Sequence, residues 1–133
     1  MKIQLIQLQT HGDARGALVA LEDGKNVPFE IHRVYYLFAT QPDVTRGLHA
    51  HRELKQMLIA VRGSCRILLD DGKEKVNVLL DDPAQGLIID SLIWREMYQF
   101  SDDCVLLVLA NQHFDETDYI RDYSVFINLV EKK

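Results

Sequence analysis

The sequence predicts an all-β fold of the closed-barrel or double-sheet kind. About ten short apolar runs follow one another along the chain. Turn-forming residues recur between them at the spacing expected of a sandwich or barrel. No long amphipathic helical pattern interrupts the series.

The runs are taken in chain order. Ile3 to Leu8 alternates apolar and polar residues, as a half-buried strand does. His11-Gly12-Asp13 reads as a turn. Gly16 to Leu21 is a second run, closed by Glu22-Asp23-Gly24. Ile31 to Phe38 is rich in β-branched and aromatic residues and ends at Gln41-Pro42-Asp43. Val44 to His49, Gln56 to Arg62, Ser64 to Leu69 and Lys75 to Leu80 follow, with Asp70-Asp71-Gly72 as a hairpin signal. Gly86 to Ile89, Arg95 to Phe100 and Cys104 to Leu109 complete the set, the last two joined at Ser101-Asp102-Asp103. Asp115 to Tyr123 reads as a short helical turn, and Val125 to Val130 as a last strand or a tail packed on a neighbour. Closure of such strands removes exposed edges.

The 133 residues, 47% hydrophobic and 26% charged, suit one globular domain over 1–133 with a single sizeable core. No apolar run reaches the roughly 18 residues of a membrane span, and the first residues lack a signal-peptide core. A cytoplasmic location away from membranes is the default expectation. Cys65 and Cys104 lie in apolar runs without metal-ligand spacing and read as buried thiols. The net charge of −5 argues against non-specific nucleic-acid binding. It does not exclude an anionic small ligand held by arginines gathered in one cavity.

The segment that carries chemistry is Thr45-Arg46-Gly47-Leu48-His49-Ala50-His51. Residues i and i+2 of a strand share a face, so His49 and His51 point into the barrel together. Two adjacent imidazoles can bind a metal or move protons near neutral pH. His49-x-His51, four residues, Gln56, six residues and Gly63 resemble the first motif of the cupins, the double-stranded β-helix or jelly-roll barrels. Gln56 stands where a metal cupin carries an acid, and Gly86 to Phe100 lacks the later histidine. A neutral amide is a poor transition-metal ligand, so no metal and no cofactor are expected.

Three further segments, taken with this one, sharpen the resemblance. Arg33-Val34-Tyr35-Tyr36, the His49 segment, Trp94-Arg95-Glu96-Met97-Tyr98 and Asp115 to Arg121 are similar to the sugar 3,4-ketoisomerases acting on dTDP-4-keto-6-deoxyglucose. The resemblance implies a homodimeric cupin barrel, often with exchanged N-terminal strands, and a dTDP-linked keto sugar as partner. It implies a metal-free shift of the keto group from C4 to C3. The product would feed 3-amino-3,6-dideoxy sugar synthesis for surface glycans such as O-antigen.

The residues suit that chemistry. Histidine is a good base for the C3 proton, because its ordinary pKa lies near the working pH. His49 is the expected base, and His51 an alternative base or a group that orients or relays protons to it. Tyr35 can donate to the developing oxyanion. Arg33 shares its face and is a candidate for the diphosphate. Arg46 is another, provided a turn or bulge redirects it, since it lies out of phase with His49. Gln56 can hydrogen-bond a sugar hydroxyl, and Arg121 resembles a position near the nucleotide. Arg15 and Arg95 bear on the configuration at C4. Arg15 is similar to galacto-type members, whereas Arg95 is a poor proton donor where a histidine can stand. The galacto product is the expected one. A cupin epimerase acting at C3 or C5, a non-catalytic sugar-binding cupin and a metal-dependent dioxygenase are the competing readings.

Overall fold

The computed structural model describes residues 1–132 and places twelve strands, one 3-10 turn and one helix. Two antiparallel five-stranded sheets face each other. The first contains β1 (Gln4–Gln7), β9 (Gln85–Ile89), β6 (Gln56–Arg62), β11 (Val105–Ala110) and β4 (Arg33–Leu37), in that spatial order. The second runs β12 (Tyr119–Ile120), β5 (Arg46–His51), β10 (Trp94–Tyr98), β7 (Cys65–Asp70) and β8 (Lys75–Leu80). A separate hairpin of β2 (His11–Asp13) and β3 (Gly16–Leu18) is exposed along its whole length. His11-Gly12-Asp13 is therefore a strand of this hairpin, and the turn lies at Ala14-Arg15. The two-sheet β architecture agrees with the expected fold class.

Facing side chains of the two sheets make the main core, with Leu58, Ala60, Ile67, Leu87, Leu106 and Val108 at its centre. The first sheet also buries its outer face. Met57, Ile59, Ile88 and Leu109 pack under the N-terminal segment through Leu8, Val27 and Phe29. With both faces covered, β6 is buried from Gln56 through Ala60, which explains why Met57-Leu58-Ile59 is continuously apolar.

The turns follow local chemistry. Between β7 and β8, the Asp71 carboxylate accepts from the backbone N–H of Lys73 and Glu74 at 2.9 and 3.0 Å. Gly63 allows a close approach, because a Cβ there would sit 2.9 Å from the Cys104 Cα. Cys65 and Cys104 are buried free thiols, as expected.

The C-terminal expectation is corrected. Val125 to Val130 is neither a strand nor an irregular tail packed on a neighbour but lies within helix α1 (Tyr123–Glu131). Its Val, Ile and Phe content favours strands in isolation. Docking overrides that preference, because Phe126 is buried against Ala50, Trp94 and Ile120 on the outer face of the second sheet. The Asp122 side chain caps the helix by accepting from Ser124 N–H at 2.8 Å. Asp115 to Tyr123 is a single 3-10 turn, Glu116–Asp118, that runs straight into β12. Among the described residues, no helix is long and apolar enough to cross a membrane.

Candidate active site

A cavity of about 400 Å³ opens at one end of the barrel. Arg33, Tyr35, Arg46, His49, Tyr119 and Arg121 line it, together with Leu37, Gly47, Met97 and Phe114. Its size falls in the usual range for small-molecule sites.

Strand β5 supplies one wall. Gly47 and Leu48 both take positive φ, 87° and 56°. The pairing with β10 slips there, so that Arg95 faces His49 while Glu96 faces Gly47. This bulge brings Arg46 and His49 to the same cavity, which regular alternation would forbid. Beyond it alternation resumes. Ala50 packs outward on α1's layer, and His49 and His51 turn inward.

The two imidazoles form a chain with a carboxylate. His49 Nε2 lies 3.1 Å from His51 Nε2. His51 Nδ1 lies 3.0 Å from Asp118 Oδ2. His49 Nδ1 lies 3.0 Å from the Gly47 carbonyl oxygen. These partners assign the tautomers, because a carbonyl and a carboxylate only accept. Both rings carry the proton on Nδ1 and leave Nε2 bare, the two bare nitrogens lying side by side. Such a pair gains by taking up one proton between them. Burial first, and then the Arg95 charge, oppose it. They hold His49 down to about 4 and His51 to about 2, so both rest neutral and ready as bases. Asp118 is itself fixed by the backbone N–H groups of Glu53 and Leu54, at 2.9 and 3.3 Å. The Tyr119 ring packs against both imidazoles, with centroids 4.9 and 4.4 Å away.

Strand β4 supplies the opposite wall. Arg33, Tyr35 and Leu37 face inward, while Val34 and Tyr36 are exposed. The Tyr35 hydroxyl oxygen accepts from Gln56 Nε2 at 3.0 Å. Gln56 Oε1 in turn accepts from Arg95 Nη1 at 2.7 Å. Tyr35 thus keeps its own O–H free to donate into the cavity. Burial raises its pKa, so the hydroxyl is protonated at rest.

Arg95 is placed differently from expectation. It does not line the cavity, and its side chain is fully buried behind the wall. Its Nε and Nη2 donate to the Ile93 carbonyl at 3.2 and 2.9 Å. Without an acidic partner, its burial lowers the pKa to about 10, which still leaves it charged at neutral pH. It is a fixed buried cation, held too far inside the wall to hand a proton to a ligand. Gln56 also stands behind the wall, supporting Tyr35 rather than reaching the cavity. The donor set disfavours a metal. Gln56 stands where a metal cupin carries an acid, its oxygen is taken by Arg95, and the guanidinium puts a cation beside that position.

The arginines divide. Arg33 stacks on Tyr35 and Phe114, at 4.9 and 5.7 Å, and its buried Nε–H has no partner. A buried donor without an acceptor points to a ligand that supplies one. Arg121 lies 4.3 Å over the Tyr119 ring and is paired with Glu116 through two bonds of 2.8 and 2.9 Å. Arg15 is not brought to this cavity. It sits on the exposed β2–β3 hairpin, 90% exposed, bonded to Asp13.

Asp118, Tyr119 and Phe114 escaped the sequence reading. Asp118 is 67 residues from His51 in the chain, and nothing local marks it as its partner. The available signal was an acidic residue beside an aromatic one inside a segment already noted for its resemblance.

The chain is similar to known proteins over nearly its whole length. The family model described as FdtA, WxcM-like, C-terminal matches residues 1–131. TDP-4-oxo-6-deoxy-alpha-D-glucose-3,4-oxoisomerase of Aneurinibacillus thermoaerophilus is 48% identical over 132 residues, 99% of this chain and 95% of that protein. A 3,4-ketoisomerase structure from Helicobacter canadensis superposes with a TM-score of 0.95 at 46% identity, covering 98% of both chains. A histidine-to-asparagine mutant of the 3,4-ketoisomerase QdtA from Thermoanaerobacterium thermosaccharolyticum, solved with TDP-4-keto-6-deoxyglucose, gives 0.96 at 43%, covering 98% of this chain and 95% of that one. With paired histidines on a bulged strand, a barrel of this topology and matches over nearly its whole length, the chain belongs to the FdtA, WxcM-like C-terminal family.

Proposed function

We propose that this protein is a metal-independent isomerase that converts TDP-4-keto-6-deoxyglucose into its 3-keto isomer. The observation that carries the reading is one cavity with a neutral imidazole on one wall and a protonated phenol on the other. The names of its relatives point to the same substrate.

The groups suit each bond change. His49 Nε2 removes the proton from C3, acidified by the neighbouring carbonyl. The C3–H electron pair forms a C3–C4 double bond, and O4 takes the Tyr35 proton. The O3 hydroxyl then returns a proton to Tyr35, C3 becomes the carbonyl, and C4 is protonated from His49. Atoms and charge balance without an external reagent. Gln56, backed by Arg95, steadies the transient tyrosinate through its Nε2–H. Arg33 and Arg46 are suited to the diphosphate, and Arg121 to the nucleotide end.

His49 reaches the sugar from one side. A single base delivers a proton to C4 on the face from which C3 lost its own. In the gluco series the C3 hydrogen lies on the lower face, and protonation of C4 there leaves O4 axial. The galacto product follows, a suitable precursor for 3-amination. Arg95 offers no rival donor from the other face.

The fully exposed β2–β3 hairpin and the apolar outer side of edge strand β4, with Val34, Tyr36 and Phe38 exposed, support a homodimer. In that assembly the hairpin carries Arg15 toward a partner's cavity. Incubation with TDP-4-keto-6-deoxyglucose and ¹³C NMR of the product tests the activity. A carbonyl at C3 with an axial O4 is expected. A carbonyl remaining at C4 with inverted C3 or C5 would establish an epimerase instead.

A further inference from the structure

The histidine pair extends past the cavity. His49 lines the cavity, and His51 behind it has no exposed surface. Asp118, bonded to His51, lines a second open cavity of about 590 Å³ with Arg52, Glu53, Asp115 and Thr117, separated from the first by Phe114, which lines both. Each step of the chain is a contact of 3.0 or 3.1 Å between groups that can carry a proton.

We propose that His49, His51 and Asp118 form a proton path through the barrel wall, joining the reacting carbons to solvent in the second cavity. The inference rests on the isomerase reading. His49, protonated at Nε2 by C3, passes that proton to His51 Nε2. His51 releases its Nδ1 proton to the Asp118 carboxylate, and Asp118 gives it to water. The return runs backward. A solvent proton enters at Asp118, reaches His51 Nδ1, and the His51 Nε2 proton goes to His49 and then to C4. One outward and one inward passage restores every tautomer. The path matters because a sugar seated against His49 covers the imidazole from the front. The contacts through His51 to Asp118 then give its proton a second route to solvent. Asp118 touches neither sugar nor reacting atoms, so it acts as a positioning and proton-conducting residue.

The test uses substrate deuterated at C3, turned over in ordinary water to low conversion, with the deuterium at C4 of the product read by NMR. The wild-type enzyme is expected to lose the label, because it drains through the wall. Asp118→Asn keeps an acceptor for His51 Nδ1–H but cannot take up the proton at neutral pH. Its product is expected to carry severalfold more deuterium at C4. His51→Asn cuts the path in the middle and is expected to do the same. The readout is a ratio within each product molecule, so it does not depend on how much of a variant folds. Label retained by the wild type would overturn the path. So would label lost equally by both variants. If the wild type makes no 3-keto product at all, the isomerase reading fails rather than the path.

Discussion

The two walls of the cavity are built from different chemistry. On the β5 side, His49, His51 and Asp118 form a row in which every member has a nitrogen or oxygen that can accept a proton and pass it on. On the β4 side, Arg95, Gln56 and Tyr35 form a row in which only the phenol can. In the proposed reaction the first wall moves protons to and from carbon. The second holds a fixed positive charge behind a hydroxyl that, on the same reading, serves oxygen. Both rows are about equally buried, so burial alone does not separate them. The difference is that the imidazoles have a carboxylate at their far end, whereas the phenol has a guanidinium.

That contrast can be broken one wall at a time. His49→Asn removes the carbon base, and kcat is expected to fall by about 10³-fold or more, with binding of TDP retained. Tyr35→Phe removes the oxygen acid, and a loss of about 10²-fold in kcat with little change in KM is expected. A rise in KM without a fall in kcat would make Tyr35 a binding residue only. Gln56→Leu leaves the Arg95 Nη1 and the Tyr35 oxygen without partners. At about 1–3 kcal/mol for a buried unsatisfied polar group, a drop of several degrees in Tm and about tenfold in kcat is expected. An unchanged Tm would show that the row is not a structural unit.

A further effect, on stability alone, is its dependence on pH. His49 titrates near 4 in the fold and near 6.5 when unfolded. The unfolded chain therefore binds protons first as pH falls. The stability that neutral His49 contributes is complete above about pH 6.5 and is lost as pH falls from there toward 4. Up to about 3 kcal/mol is involved, and His51, lowered further still, adds in the same direction. Reversible melts between pH 7.5 and 4.5 should show Tm falling with acid. The slope should be shallower in His49→Asn.

Much of this was legible in the residues. Gln56 to Arg62 and Lys75 to Leu80 read as strands and are strands over the same bounds, because their patterns match the faces they bury. The pairing of His49 with His51 was legible from spacing and that of Arg33 with Tyr35 from period 2, while the resemblance chose Tyr35 over Tyr36. Arg46 was legible only conditionally, since its phase was wrong until Gly47 and Leu48 supplied a bulge. What stayed hidden was long-range. Helix α1 forms because Phe126 has Trp94 and Ala50 to pack on, a contact no local pattern encodes. Asp118 is set by His51 across the fold, and Arg95 turned inward because Gln56 and the Ile93 carbonyl received it.

The central claim is that proton transfer at carbon belongs to the β5 wall alone. Exchange of the substrate's C3 hydrogen in D₂O, followed by ¹H NMR for the wild type, His49→Asn and Tyr35→Phe, tests it directly. Exchange should vanish in His49→Asn and persist in Tyr35→Phe even where product formation is slow. Exchange that survives in His49→Asn, or that disappears with Tyr35 alone, would contradict the account.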